Sequence, residues 1–224
     1  MENTIRRVVV TGAGAVTPVG CTVPDMWNSL ISGKNGIAPI SLFDTADFKV
    51  KVAAEVKDFE PLAYMKKNEV NRTDRYTQFA LAAAQQAVDD SGIEGKIDPE
   101  RFAVYLGAGI GGIRTLEAEH TKLMERGPER VSSLFVPMMI ANMAAGMLAI
   151  RFHCQGPAMP PNCPAWQFRR TALYGNPIAV LPLHGNAAVD AQYFACHIVR
   201  VRQIGDRFRN LLSLFCHRLY SLFH

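Results

Sequence analysis

Residues 138–170 read MMIANMAAGMLAIRFHCQGPAMPPNCPAWQFRR, and the vocabulary changes inside this stretch. Met138 to Ile150 is nearly apolar and rich in Ala and Met, with Asn142 and Gly146 inside it. It is too short to cross a bilayer, so it predicts a buried helix that serves core packing. Beyond about Pro160 the residues become rich in Pro and Arg. The boundary divides the chain into 1–160 and 161–224, and the two segments have to be read separately.

The charge follows the same division. The whole chain of 224 residues carries a formal net charge of +4. Residues 161–224 hold seven Arg, no Lys, no Glu and only Asp190 and Asp206, which leaves 17 basic against 18 acidic side chains in 1–160. The basicity therefore belongs to the C-terminal segment, and no nucleic-acid partner is expected. Cys21, Cys154, Cys163, Cys196 and Cys216 show neither a C-x-x-C pair nor the spacing of a secreted scaffold. With no long apolar stretch near the N-terminus, a reducing, cytoplasmic compartment is expected, with no membrane span.

Residues 1–160 alternate between strand and helix signals. Arg6 to Val10 predicts a buried strand, followed by a tight glycine turn in GAGAVTPVG at 12–20. A G-x-G after a strand suggests dinucleotide binding, but Thr17 stands at the third glycine position and no second strand ends in an acidic residue at the required distance. Close packing of a strand that turns into a loop accounts better for the glycines. Asp25 predicts a helix cap, with Trp27, Leu30 and Ile31 at helical spacing and Gly33 as the stop. KNGIAPISLFD reads as loop, Lys49 to Val56 as strand-like and Asp58 to Met65 as irregular. The strongest helix begins near Asn71 or Thr73 and ends at Ser91-Gly92, with Phe79, Ala80, Ala83, Ala84, Ala87 and Val88 on one small-residue face. Phe102 to Leu106 is a second buried strand. It enters Gly107-Ala-Gly-Ile-Gly-Gly112, and an amphipathic helix from Arg114 to Arg126 follows. This order predicts an α/β layered fold.

The motifs occur in a recognisable sequence: RRVVVTGAGAVTPVG, W-x-x-L-x-x-G-x-x-G-I from Trp27 to Ile37, Phe43-Asp44, DRYTQFALAAAQQAVDDSGI from Asp74 to Ile93, GAGIGG from 107, FVPMMIANMAAG from Phe135 to Gly146, and Gly156-Pro157. Residues 5–160 thereby resemble the N-terminal half of a β-ketoacyl-acyl-carrier-protein synthase, of the elongating synthase II type. The resemblance implies a thiolase-like fold of two similar α/β halves in an αβαβα sandwich, commonly a homodimer, of which only the N-terminal half is present here. It implies a decarboxylative condensation of an acyl thioester, carried on an active-site Cys, with a malonyl thioester. A Cys at a helix N-terminus suits that role because the dipole and free N–H groups stabilise the thiolate. Two His from the C-terminal half and an oxyanion hole complete the family's machinery. Partners implied are acyl carrier protein and its acyl and malonyl thioesters, with no cofactor and no metal. Ile110 matches a position that lines the acyl pocket in the family, and Phe135 matches the family's segment near that pocket across the dimer; ordinary core packing is the alternative for both. A polyketide ketosynthase shares these motifs, and a non-catalytic protein that associates with an intact synthase is a third reading.

The family pattern stops near Pro160. There a buried strand should end in T-A-C-x-[ST]-G, with the nucleophile nine residues after Gly156, which lands on Ala165. Cys163 is the thiol nearest that position, yet it lies between Asn162 and Pro164 without the flanking motif, and prolines at 160, 161 and 164 remove strand donors. Cys163 therefore reads as an inert thiol. His184-Gly185 lacks the family's preceding Asn-Ala. Cys196-His197 and Cys216-His217 have poor zinc spacing. Arg207 to Phe223 has the pattern of a basic amphipathic helix. A shifted reading frame accounts for all of these features. Permitted codons for Asn162 to Arg170, read one base on, can give Thr-Ala-x-x-Gly-Ser-Ser-Ala-Val. The expected domains are thus 1–160, an incomplete synthase-like domain, and 161–224, an aberrant Arg-rich tail.

Overall fold

The computed structural model describes residues 8–159 and, beyond them, the backbone of two strands at 179–180 and 194–201. Cys163, His184, Cys216, His217 and the 207–223 segment lie outside the described residues.

The organising element is α3 (Arg75–Ser91), preceded by β1 (Val8–Val16), α1 (Val23–Ile31), β2 (Ala38–Pro39), β3 (Val52–Ala53) and α2 (Lys67–Val70). Asp74 caps α3, its carboxylate accepting the Tyr76 N–H at 3.3 Å, and Gly92 ends it in the left-handed conformation at φ 57°. Phe79, Ala80, Ala83, Ala84, Ala87 and Val88 are all buried, as their spacing predicts. The small side chains let two surfaces approach this helix at once. On one side lies β1; on the other lies α6 (Met143–Arg151), which in turn contacts β4 (Val104–Leu106).

β1 corrects two expectations: Val9 and Val10, read as part of a buried strand, are 40% and 52% exposed, and the strand is longer than expected. Instead of ending at Val10 before a glycine turn, the strand continues through Gly12 and Gly14 to Val16. The glycines serve contact: a methyl group at Gly12 or Gly14 would collide with the carbonyl of Ala87 or Ala83 on α3. The strand's amides meet side chains of the same helix. Ala13 donates to Asp90 at 3.0 Å and Ala15 to Gln86 at 3.1 Å. Along β1, residues Phe194–Val201 (β7, following β6 at Ala179–Val180) run antiparallel, with an irregularity between Val10 and Gly12. Ladder hydrogen bonds use backbone atoms alone, so this pairing places little demand on the identity of the C-terminal residues.

β4 is the centre of a small parallel sheet, flanked by β5 (Ala158–Met159) and β6. Parallel strands need a crossover. Here α4 (Ile113–Arg126), α5 (Phe135–Met139) and α6 lie between β4 and β5 in the chain, which is the α/β arrangement predicted from the motif order. The core joins Val16, Tyr76, Phe79, Leu81, Leu106 and Leu148, with Phe59 edge-on to Phe79 at 4.9 Å between ring centroids.

Two smaller differences concern helix ends. Thr22, not Asp25, caps α1: its hydroxyl accepts the Asp25 N–H at 3.2 Å, and Asp25 sits in the first turn, where its charge suits the dipole. The single helix expected over Met138–Ile150 is two helices, broken at Ile140–Asn142. The cause of that break lies in the candidate site.

Candidate functional site

β4 delivers the chain into the glycine loop 107–112, and α4 begins at Ile113 immediately after it. Gly111 adopts φ 85°, a conformation that strains any residue with a side chain. A methyl group there would also strike the carbonyl of Met139, and one at Gly112 would strike that of Met138. The loop backbone is thus pressed onto the joint between α5 and α6. Gly112 N–H donates to the Met139 carbonyl at 2.8 Å, and the Tyr76 hydroxyl donates to the Ile140 carbonyl at 2.6 Å. These donors take carbonyls at the joint, where Ile140 leaves the helical conformation with ψ 136°. The helix breaks because tertiary partners replace its internal ones.

Asp74 ties the loop to the start of α3. While one carboxylate oxygen caps that helix, the other accepts from the Thr115 N–H at 3.1 Å and from the Thr115 hydroxyl. Asp74 is buried, 8% exposed. The first turn of α3 therefore clamps both the start of α4 and the α5–α6 joint. Asp74 and Tyr76 were present in the recognised motif without an assigned role. An Asp directly before a long helical run is an N-cap signal and could have identified the first. Nothing local marks the second, whose partner is 64 positions away.

Ile110, at the loop's apex, is 63% exposed, so it is not a core residue. Phe135, the first residue of α5, is half-buried, and Val136 beside it is exposed. Behind the loop, Asp74, Tyr76, Phe79 and Gly111 help line a cavity of about 40 Å³, room for about one water molecule and not for an acyl chain. A larger open depression of about 700 Å³ at Leu62, Met65, Lys66 and Lys67 shares no residue with the loop. Part of its wall is occupied by the Arg151–Glu69 ion pair at 2.9 Å.

Neither of the two described cysteines, Cys21 and Cys154, is activated as a nucleophile. Burial pushes the Cys154 thiol up to about 12, and Cys21 is raised by burial and then by Asp58 and Asp25. Both shifts suppress the thiolate. Among the described residues no cluster of three His, Cys, Asp or Glu is placed to hold a metal ion. Nor is any helix among them long and apolar enough to cross a membrane.

Solved structures of similar fold include the ishigamide ketosynthase/chain length factor, with a TM-score of 0.72 at 22% identity over 88% of this chain and 59% of that one. A β-ketoacyl synthase from Burkholderia phymatum gives 0.67 at 17% identity, over 89% of this chain and 59% of that one. The architecture is that of the thiolase-like ketosynthases. Residues 5–162 match the family described as "Beta-ketoacyl synthase, N-terminal domain", and the chain belongs to that family. It is 44% identical over 153 residues to the "3-oxoacyl-[acyl-carrier-protein] synthase 2" of Synechocystis and 45% identical to that of Vibrio harveyi. In each case 68% of this chain is covered but 37% of the relative, so the chain spans little more than a third of the length of these curated relatives.

Proposed function

We propose that residues 1–160 are the acyl-binding portion of a 3-oxoacyl-[acyl-carrier-protein] synthase II of fatty acid elongation, and that this chain does not complete the condensation unaided. The observation that carries this reading is the glycine loop seated on the α5–α6 joint with Ile110 presented outward, in a chain 44–45% identical to synthases of that name. In the full reaction an acyl group passes from a carrier thioester to a Cys sulfur. Loss of CO2 from a malonyl thioester then leaves a carbanion that attacks the acyl carbonyl and expels the Cys thiolate. Ile110 and Phe135 contribute wall to the acyl site, and that wall remains open in this chain. A carrier protein bearing the acyl and malonyl thioesters, and a second subunit, are the partners of the assembled enzyme, in the cytoplasm. The identity to synthases 2 favours fatty acid elongation over polyketide synthesis.

Residues 161–224 are, in this proposal, an out-of-frame segment. Its support is the family match ending at Asn162, where the nucleophile motif should follow. The test of function is direct. Purified chain supplied with acyl and malonyl carrier thioesters is expected to yield no elongated product. Elongation that disappears in Cys163→Ser would overturn the reading.

A further inference from the structure

Asn35-Gly36 is the single Asn-Gly dipeptide of the chain, and it lies just past α1, in the loop that Gly33 enters at φ 70°. Asn35 is exposed, and its side-chain oxygen Oδ1 accepts the Ile37 N–H at 2.9 Å, an Asx turn. The turn folds the carboxamide back over the peptide that follows it. Among the described residues the Gly36 N–H donates no hydrogen bond, and without a Cβ beside it that nitrogen is open to the Asn35 side chain. Asn35 is also the only Asn among the described residues whose side-chain oxygen is held by the amide two positions on.

We propose that Asn35 is a self-modification site, at which the Gly36 nitrogen converts the carboxamide to a cyclic imide that water opens to an aspartyl or isoaspartyl residue. Hydroxide first takes the Gly36 amide proton. The nitrogen then attacks Cγ of Asn35, which forms the Cγ–N bond and places negative charge on Oδ1. The Ile37 N–H already points at that oxygen, so it stabilises the charge as it develops, as an oxyanion-hole donor does. Collapse breaks the Cγ–Nδ2 bond; Nδ2 takes a proton from water and leaves as ammonia, which restores the hydroxide. Water is the one further reactant. Opening of the imide at Cγ gives aspartate, and opening at the backbone carbonyl gives isoaspartate.

The two products differ in what they do to the fold. Aspartate keeps an oxygen for the Ile37 N–H, so the turn survives. Isoaspartate lengthens the main chain by one methylene just before Gly36. That glycine lies so close to the 17–20 turn that a Cβ on it would be 2.8 Å from Val19 Cγ1 and 3.3 Å from Pro18 Cβ. The longer chain therefore pushes the loop off a turn that also holds α1, through the Ser29 hydroxyl and the Val19 carbonyl at 2.6 Å.

The test incubates the purified full chain in mildly alkaline buffer, folded and unfolded in guanidinium, and follows each Asn by peptide mass spectrometry. Methyl transfer by an isoaspartate methyltransferase reports the isoaspartyl product. The expected result is faster conversion of Asn35 in the folded chain than in the unfolded one, and roughly tenfold or more faster than at the exposed Asn71. Asn35→Gln, which would need a larger ring, should abolish the signal at this position. An unfolded chain that reacts as fast as the folded one overturns the proposal, and so does preferential modification of another Asn. Asn35→Asp is expected to melt with the unmodified chain, and the isoaspartyl fraction, separated chromatographically, to melt below both. An isoaspartyl fraction that melts no lower overturns the displacement of the loop.

Discussion

Gly14 and Gly146 sit at opposite ends of what a single methyl group can do in this protein. At Gly14 an added methyl meets the fixed carbonyl of Ala83, so β1 and α3 would have to separate. Gly14→Ala is expected to destabilise the fold by about 1–3 kcal/mol. At Gly146, inside α6, nothing lies within 4 Å of the added carbon, and Gly146→Ala should stabilise by about 0.5–1 kcal/mol through helix propensity. Thermal melts of the pair test both signs; equal shifts would contradict the packing described. Glu119 makes a second local prediction. Hydrogen bonds from the Lys122 ammonium and then the Ser132 N–H hold its carboxyl below the usual carboxylate range. A depressed folded value stabilises fully above the unfolded glutamate value of roughly 4.3 and is lost as pH falls through the folded value. In Glu119→Gln the stability deficit should therefore be constant from neutral pH down to roughly 4.3 and shrink as pH falls from there through the folded value. A deficit independent of pH throughout would show that charge has no part in it.

The first turn of α3 couples elements that are distant in sequence, and its two clamps can be released separately. Tyr76→Phe removes the hydrogen bond to the Ile140 carbonyl and is expected to cost about 1 kcal/mol. Asp74→Ala removes a helix cap and the anchor of Thr115 together, and should cost about 1–2 kcal/mol or more. The distinguishing measurement is limited proteolysis. Asp74→Ala should accelerate cleavage within 107–115, whereas Tyr76→Phe should expose the 139–142 joint. Identical cleavage patterns would mean that the two residues do not hold different segments.

For the whole molecule, the described residues form a core centred on α3 but leave apolar faces on α1 and around Ile110 uncovered. Burial on this scale is the main stabilising term of any domain, so a partner that covers those faces stabilises the folded chain by mass action. The C-terminal residues have a separate test at the level of the gene. The nucleotide sequence downstream of codon 160, read in the shifted frames, is expected to continue the family's C-terminal half. If neither frame does so, the out-of-frame origin of 161–224 fails.

Much of this could be read from the linear chain, because it depends on order and spacing. The α3 face, the strand-to-glycine junction after β4, the stop at Gly92 and the synthase resemblance over 5–160 all follow from residues close in sequence. The exposure of Ile110, the break between α5 and α6, the passage of β1 through its glycines and the roles of Asp74 and Tyr76 did not. These are settled by contacts between residues 41, 64 or about 70 positions apart, such as Asp74 with Thr115, Tyr76 with Ile140 and Gln86 with Ala15. Periodicity reports which face of an element is apolar. Only the packed structure decides which carbonyl loses its helical partner, and which apolar faces are left without a neighbour.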